Sequence, residues 1–527
     1  MKRHDNAARV RGSVQSMAWM RLLGIMAGGL LASCTLFQPA VPAPRTPRKA
    51  PAELPRIPAP DAAALDVPSG YRAEVVVTDL IYPSSVDFDD QGNLLIAEAG
   101  HVYGDPSAPA RILRLTPTGA LEVLATQLNG PVNDILWHLG KLYISHKGKI
   151  SVLDGSEVKD LVTGLPSLGD HHNNQLTIGP DGKLYFGQGV MTNSGVVGID
   201  NFLFLWLPQY PDLHDAPARD ITLAGGVWTT INPMILGKTD EAKVVTTAAF
   251  STFGQGEPES NLVRGTLKAN GTILRCNTDG TGLEMVAWGL RNPFGVMWSP
   301  DGRLFVADNG YDERGSRPIA NAPDVIWKIK EGAWYGFPDY AGGVPVTDKR
   351  FKPKQGPQPE FILEKHPPVE QPFLTRPTHA ATTKIDFARR EFGFEGQMFL
   401  AEFGEATPVT GEPVGTRGHQ VVRIDPRSKQ VEMFVRTKKS ALGPKDMEYV
   451  ATAGLKRPID VRFSPDGSAL YIVDLGAFVA LPLTVPLPQP FEGTGVIWRV
   501  TKEGAKAQAL PAGVSAQPSG RPVKTAD

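Results

Sequence analysis

The chain has 527 residues and a formal net charge of −1, with 41% of residues hydrophobic and 21% charged. That composition belongs to a folded protein long enough for a large core, and the near-zero charge excludes the basic surface that nucleic-acid binding requires. Fifty-five glycines and 47 prolines favour many turns and short strands over long helices.

In chain order, Lys2, Arg3, Arg9, Arg11 and Arg21 form a positive region ahead of the short apolar run Leu22–Ala32. A run of that length is too short to span a bilayer and predicts an export signal. It ends in Leu31-Ala32-Ser33-Cys34, which resembles a bacterial lipobox. Residues 1–34 are therefore expected to be a lipoprotein signal with Cys34 as the lipidated residue. This implies a bacterial lipoprotein on the periplasmic face of a membrane, expected to be the outer membrane. An ordinary signal with a chance cysteine is the alternative. With Cys34 lipidated, only Cys276 remains and no intrachain disulfide can form. No Cys-x-x-Cys-His occurs, so no c-type haem is expected on the chain. Residues 35–66 read as a Pro/Ala-rich tether, 67–502 as the folded domain, and 503–527 as a disordered tail.

One pattern recurs within the domain: a strand, a turn carrying Gly, and a second strand ending near an acid, amide or Gly. It appears as "SSVDFDDQGNLLIAEAG", "NDILWHLGKLYISHKG", "NQLTIGPDGKLYFGQG", "FGVMWSPDGRLFVADNG", "TKIDFARREFGFEGQMFLAEFG" and "IDVRFSPDGSALYIVDLG". Gly between alternating runs is a hairpin signal, because the turn needs positive φ. The turn glycines Gly92, Gly140 and Gly182 are spaced about 40 to 50 residues apart, as in propeller blades. Gly302, Gly396 and Gly467 follow at longer intervals, which places insertions at about 190–260 and 311–375. Six copies predict an all-β, six-bladed β-propeller. No Gly-x-Gly-x-x-Gly opens a helix, and no Walker A or Gly-x-Ser-x-Gly elbow is present.

"GLPSLGDHHNNQLTIGPDGKLYFGQG", "GLRNPFGVMWSPDGRLFVADNG" and "PDVIWKIKEGAWYGFPDY" together resemble the soluble quinoprotein glucose/sorbosone dehydrogenases over most of residues 68–500. "DNGYDERGSRPIANAPD" resembles the sorbosone-dehydrogenase-like branch. The resemblance implies oxidation of a sugar or related alcohol or aldehyde. A base takes the hydroxyl proton while hydride passes to pyrroloquinoline quinone (PQQ), and calcium polarises the quinone. Asp170-His171 matches the catalytic pair, with His171 as the base and His172 as its rival. Arg291 and Asn292 match cofactor-binding positions. Arg457 matches a further cation, and Arg417 is the candidate for another. Gly310 and Tyr311 fall where backbone carbonyls hold the calcium; Asp324 and Tyr335 match a second cation position by spacing.

The chain departs from that pattern at Val190, Phe294, Val325 and Ile459. Val190 stands where the base's acidic partner is expected; Asp170 is then the nearest substitute, and an aspartate at 190 should strengthen the base. With no haem on the chain, electrons must pass to a separate acceptor, a cytochrome or a membrane quinone. Two other classes stay open. A lactonase-type metal hydrolase would draw ligands from Glu98, Asn292, Asn309 and Asp474; a non-catalytic propeller would serve as a binding scaffold.

Overall fold

The computed structural model describes residues 56–100, 109–235, 243–257, 261–406, 410–411, 417–443, 448–481, 487–505 and 510–516. Cys34, the signal and most of the tether lie outside the described residues.

The chain folds as a six-bladed β-propeller. Each blade is built on a four-stranded antiparallel sheet whose inner strand is followed in sequence by its second and third strands. The inner strands are Pro83–Phe88, Val132–His138, Asn173–Ile178, Pro293–Trp298, Thr382–Phe387 and Pro458–Phe463. The turn glycines that follow them, Gly92, Gly140, Gly182, Gly302, Gly396 and Gly467, all have φ between 70 and 78. That left-handed geometry is what the repeated hairpin requires.

Six apolar clusters fill the seams between blades. Leu176, Phe186 and Leu274 of blade 3, for example, meet Tyr143, Ile150 and Val152 of blade 2. The seam between blades 6 and 1 is filled in the same way, by Tyr471, Val473 and Ile497 against Val86, Ile96 and Leu113, so the ring is closed. Closure is topological as well. The early strand Tyr71–Leu80 is an outer strand of blade 6, pairing Tyr71 with Lys502 through Leu80 with Gly495.

The domain boundaries shift from those expected. Leu65–Asp66, assigned above to the tether, pair with Thr437 and Arg436 of blade 5. Val514–Ser515, assigned to the tail, pair in parallel with Val77 and Thr78. Both segments cover sheet edges that would otherwise expose unpaired backbone groups.

Two features aim residues at one face. All six inner strands break register with the second strand close to their start, for instance between Val132 and Asp134 and between Pro458 and Asp460; such bulges re-aim side chains. The longest connection, residues 189–271, joins the second and third strands of blade 3, and residues 309–323 make the same connection in blade 4. Second strands run back toward the start of the inner strands, so these loops stand over that same face. The blade 3 insertion carries the two short helices Ile199–Leu203 and Trp206–Gln209.

Candidate active site

The mouth of the propeller is built from loops that enter the inner strands, and the last residue of each second strand fastens them. Asp308 accepts the backbone N–H of Arg291 (3.2 Å) and Asn292 (2.7 Å), together with Trp327 Nε1–H (3.0 Å). Asp474 does the same in blade 6, holding the N–H of Lys456 (2.8 Å) and Arg457 (2.7 Å). Glu98 accepts from Ile81 N–H and pairs with Arg111. These carboxylates are loop fasteners saturated by protein donors, so Glu98 and Asp474 do not converge as metal ligands. Among the described residues no group of three or more His, Cys, Asp or Glu could hold a metal ion. The hydrolase reading loses its ligand set.

His171 sits where the loop into blade 3 continues the pairing of its inner strand. Its backbone N–H and its ring Nδ1 both meet the carbonyl oxygen of Val190, at 3.1 and 2.9 Å. A carbonyl only accepts, so Nδ1 carries the proton and Nε2 keeps its lone pair. Gly189 makes the approach possible: a Cβ there would lie 2.4 Å from that of His171. Burial, then the charges of Arg291 and Arg314, hold the imidazole pKa well below its ordinary value. The ring is therefore an unprotonated acceptor throughout the neutral range.

The rival and the partner expected from sequence take other positions. His172 is buried edge-on against Trp206, with ring centroids 5.5 Å apart, and so seats the blade 3 insertion. Asp170 does not replace the missing acid as the orienter of His171. Its carboxylate meets Arg314 at 2.7 Å and Asn201 at 3.3 Å. Burial, opposed by Arg314, raises its pKa to about 6. The orienter is a main-chain carbonyl, so the tautomer of the ring is set without an acidic side chain at position 190.

Arg291 is nearly buried under the wall formed by both insertions. Its Nε donates to Asn193 O (3.0 Å), and its Nη2 donates to Asn193 Oδ1 (2.8 Å) and Asp312 Oδ2 (3.0 Å). Only Nη1 makes no hydrogen bond among the described residues. Arg314 completes the wall by binding three carboxylates: Asp170 at 2.7 Å, Asp200 at 2.6 Å and Asp312 at 3.2 Å. Burial alone would raise the pKa of Asp312, but Arg291 and Arg314 together bring it below the usual value. Asn292 lies in a chain of amides that crosses three blades. Asn174 donates to Asn292 (3.0 Å), Asn292 to Asn309 (2.9 Å), and Asn309 to the Thr382 carbonyl (2.7 Å).

On the opposite side, Arg457 Nη1 donates to the carbonyls of Gly404 and Glu405, both at 2.8 Å. Its guanidinium lies over the rings of Phe478 (4.2 Å) and Phe403 (5.1 Å). Burial pulls its pKa down to about 9, which still leaves it charged at neutral pH. Arg417 is exposed on the facing loop, where its carbonyl accepts Glu405 N–H. Ile459 and Phe294 explain two departures from the dehydrogenase pattern. Phe294 of blade 4 packs against the cluster of blades 6 and 1 that contains Ile459. Blade 4 faces blade 1 across the ring, so this phenyl ring lies over the axial mouth as an apolar floor.

The expected cation positions divide. Gly310 and Tyr311 sit on the loop between the walls, and no hydrogen bond reaches their carbonyl oxygens from the described residues. Oxygen donors of this kind suit a hard cation. Asp324 and Tyr335 do not come together. Asp324 caps Gly310 N–H (2.8 Å) and Thr382 N–H (3.1 Å). Tyr335 Oη accepts from Lys330 N–H (2.8 Å), beyond the other end of the strand Asp324–Lys328. Both groups are committed to loop structure.

Fold and site together define a six-bladed propeller whose mouth holds a neutral imidazole, two partly committed guanidinium groups and an apolar floor. No family model matches the chain. Quinoprotein glucose dehydrogenase B of Acinetobacter calcoaceticus is 26% identical over 185 residues, which are 35% of this chain and 29% of that protein. The match thus spans under a third of the relative's length. Among solved structures, the PQQ domain of pyranose dehydrogenase from Coprinopsis cinerea aligns with a TM-score of 0.52 and 15% identity, over 85% of this chain and 99% of its own. A Trichoderma reesei protein of carbohydrate-active family AA12 aligns with a TM-score of 0.50 and 15% identity, over 84% and 98%. The resemblance to quinoprotein glucose dehydrogenases therefore rests on a sequence match as well as on shared fold.

Arg314, Asn193 and the Val190 carbonyl were not singled out from sequence. Arg314 lay in plain view within "DNGYDERGSRPIANAPD", but its three partners come from distant loops. A backbone carbonyl leaves no signature in residue type.

Proposed function

We propose that this protein is a PQQ-dependent sugar dehydrogenase, exported and tethered to the periplasmic face of a membrane through Cys34. The observation that carries this reading is the His171 imidazole, with Nδ1–H fixed on Val190 O at 2.9 Å and Nε2 left as acceptor beside Arg291. The resemblance to quinoprotein dehydrogenases supports it, and so does the fit of the mouth to a flat polycarboxylate. Phe294 and Ile459 would floor such a group, and Arg291 Nη1, Arg457 and the exposed Arg417 would meet its carboxylates. Asn292 and its amide chain would hold the wall in register. The carbonyl oxygens of Gly310 and Tyr311 would ligate the calcium.

The quinone, when bound, supplies the hydride acceptor. His171 Nε2 takes the proton of the sugar hydroxyl, and the carbon bearing it loses hydride and becomes a carbonyl. Burial and the charges of Arg291 and Arg314 keep His171 neutral, and the Val190 carbonyl holds it in place. Electrons then leave to a separate acceptor, a cytochrome or a membrane quinone. The test is reconstitution of the purified protein with PQQ and calcium, followed by dye-linked oxidation of an aldose panel. Oxidation by the reconstituted protein alone is expected; a folded protein that binds no PQQ overturns the reading. For the tether, Cys34→Ala should move the protein from membranes to the soluble exported fraction. Retention after a carbonate wash would refute the anchor.

A further inference from the structure

His379 has no assigned role, and its surroundings are unusual for a loop histidine. It lies in the loop entering blade 5, which is bonded to the loop at 403–405, and close enough to the blade 4 wall for Asp312, Arg291 and Glu313 to act on its ring. It is only 8% exposed, yet its Nδ1 is buried with no hydrogen-bond partner among the described residues. A buried polar atom left without a partner costs about 1–3 kcal/mol and calls for an explanation.

The loop that presents it is fastened on both sides. Ala380 O accepts Gly404 N–H and Ala381 O accepts Phe403 N–H, both at 2.9 Å. Thr382 N–H donates to Asp324, and Thr382 O accepts Asn309 Nδ2. The backbone of His379 and of Ala381 is left-handed, with φ of 61 and 53. Such strain concentrates where a side chain is held for use. The charged groups acting on the ring are Asp312, Arg291 and Glu313, and burial keeps the imidazole neutral. His379 is thus a rigidly presented, neutral imidazole beside the guanidinium whose Nη1 remains open.

We propose that His379 is a ligand-contacting residue, donating a ring N–H to a carboxylate of the anionic cofactor seated against Arg291. The neighbouring Asp312 is committed to Arg291 and Arg314, so the open donors of Arg291 and His379 are complementary to an incoming anion. This inference rests on the PQQ reading above.

The test is PQQ affinity of the full-length apoprotein, measured by fluorescence quenching at fixed calcium, with no turnover required. His379→Gly removes the ring and relaxes the left-handed backbone, so it should fold; thermal melting checks this. Its affinity should fall about 10- to 100-fold, as expected for loss of a hydrogen bond to a charged group. His379→Asn tolerates positive φ and restores a donor, so it should recover most of that loss. His379→Gly combined with Arg291→Gln should lose less than the product of the single losses, because both donors serve one carboxylate. Parent-like binding by His379→Gly, or equal weakness of the Gly and Asn variants, overturns the inference while leaving the PQQ reading intact. If the folded parent binds no PQQ, the reading fails and the inference falls with it.

Discussion

His171, the base we propose, has a main-chain carbonyl where a carboxylate would usually steady the ring. A carbonyl fixes the tautomer as firmly as a carboxylate does, but it adds no negative charge to stabilise the protonated ring. In the proposed role the imidazole would therefore be always available and comparatively weak. His171→Gln should leave folding and PQQ affinity unchanged while turnover drops by about 10²- to 10⁴-fold, measured by dye-linked kinetics. Full turnover in this variant would remove His171 from the reaction. Because burial and two arginines depress its pKa, the acid limb of kcat/KM should lie below the ordinary histidine value of about 6.5. The expectation that an aspartate at 190 would help does not survive the structure. Val190 is fully buried among Val196, Tyr311, Ile319 and Trp334. Val190→Asp would bury an unpaired charge, so we expect a lower melting temperature and no gain in turnover. A stable variant with raised turnover would show that a carboxylate can displace the carbonyl.

At the level of elements, the hairpins were legible because each carries its own signal: alternating residues, a turn glycine and a polar residue closing the second strand. Of the closing residues Glu98, His146, Asp308 and Asp474, Glu98 and Asp474 were candidate ligands in sequence, and all four prove to be fasteners. Type alone does not reveal whether a carboxylate faces solvent, metal or backbone N–H. The ends were misjudged for a related reason, since Leu65–Asp66 and Val514–Ser515 gain their order from edges far away in sequence. His146 shows what a fastener does for its blade. Its Nδ1 accepts Asn129 N–H (3.0 Å), and its Nε2 meets Ser151 Oγ (2.7 Å), which donates to Asp160 (2.7 Å). Protonating Nδ1 would break the first of these bonds, and burial lowers the pKa from 6.5 to about 4. The unfolded imidazole takes up its proton near 6.5 and the folded one only near 4, so the unfolded state binds more protons in between. This group's contribution, on the order of 3 kcal/mol, is complete above pH 6.5 and is lost as pH falls toward 4. In urea titrations at pH 7 and 4.5, His146→Asn should be less stable than the parent at pH 7 and should lose less on acidification. Equal acid sensitivity in both proteins would show that His146 does not titrate as described.

Over the whole molecule, closure of six blades leaves an axial channel that must be filled, and here it is filled with charge. The third residues of the inner strands are Ser85, Asp134, Gln175, Gly295, Lys384 and Asp460. Lys384, with no exposed side-chain surface, places Nζ 2.7 Å from Asp134 and 3.4 Å from Asp460. The Ser84 carbonyl accepts from it at 2.8 Å. Ser85 Oγ bridges the same two carboxylates, at 2.7 and 3.0 Å, and Gln175 Oε1 accepts Val296 N–H (2.9 Å) from blade 4. One ammonium on blade 5 thus joins it to blades 1, 2 and 6 beneath the floor formed by Phe294 and Ile459, so the plug supports the site above it. Removing one member of a buried ion cluster costs more than the cluster contributes, because its partners are left charged and unpaired. Lys384→Met should therefore lose about 3–5 kcal/mol in urea unfolding. Combining it with Asp134→Asn and Asp460→Asn, which removes the stranded charges, should recover part of that loss. Because Asp460 and Ile459 are consecutive, the single variant should also weaken PQQ affinity by disturbing the floor. A Lys384→Met protein as stable as the parent would mean that the axis is held by packing and that the ammonium is dispensable.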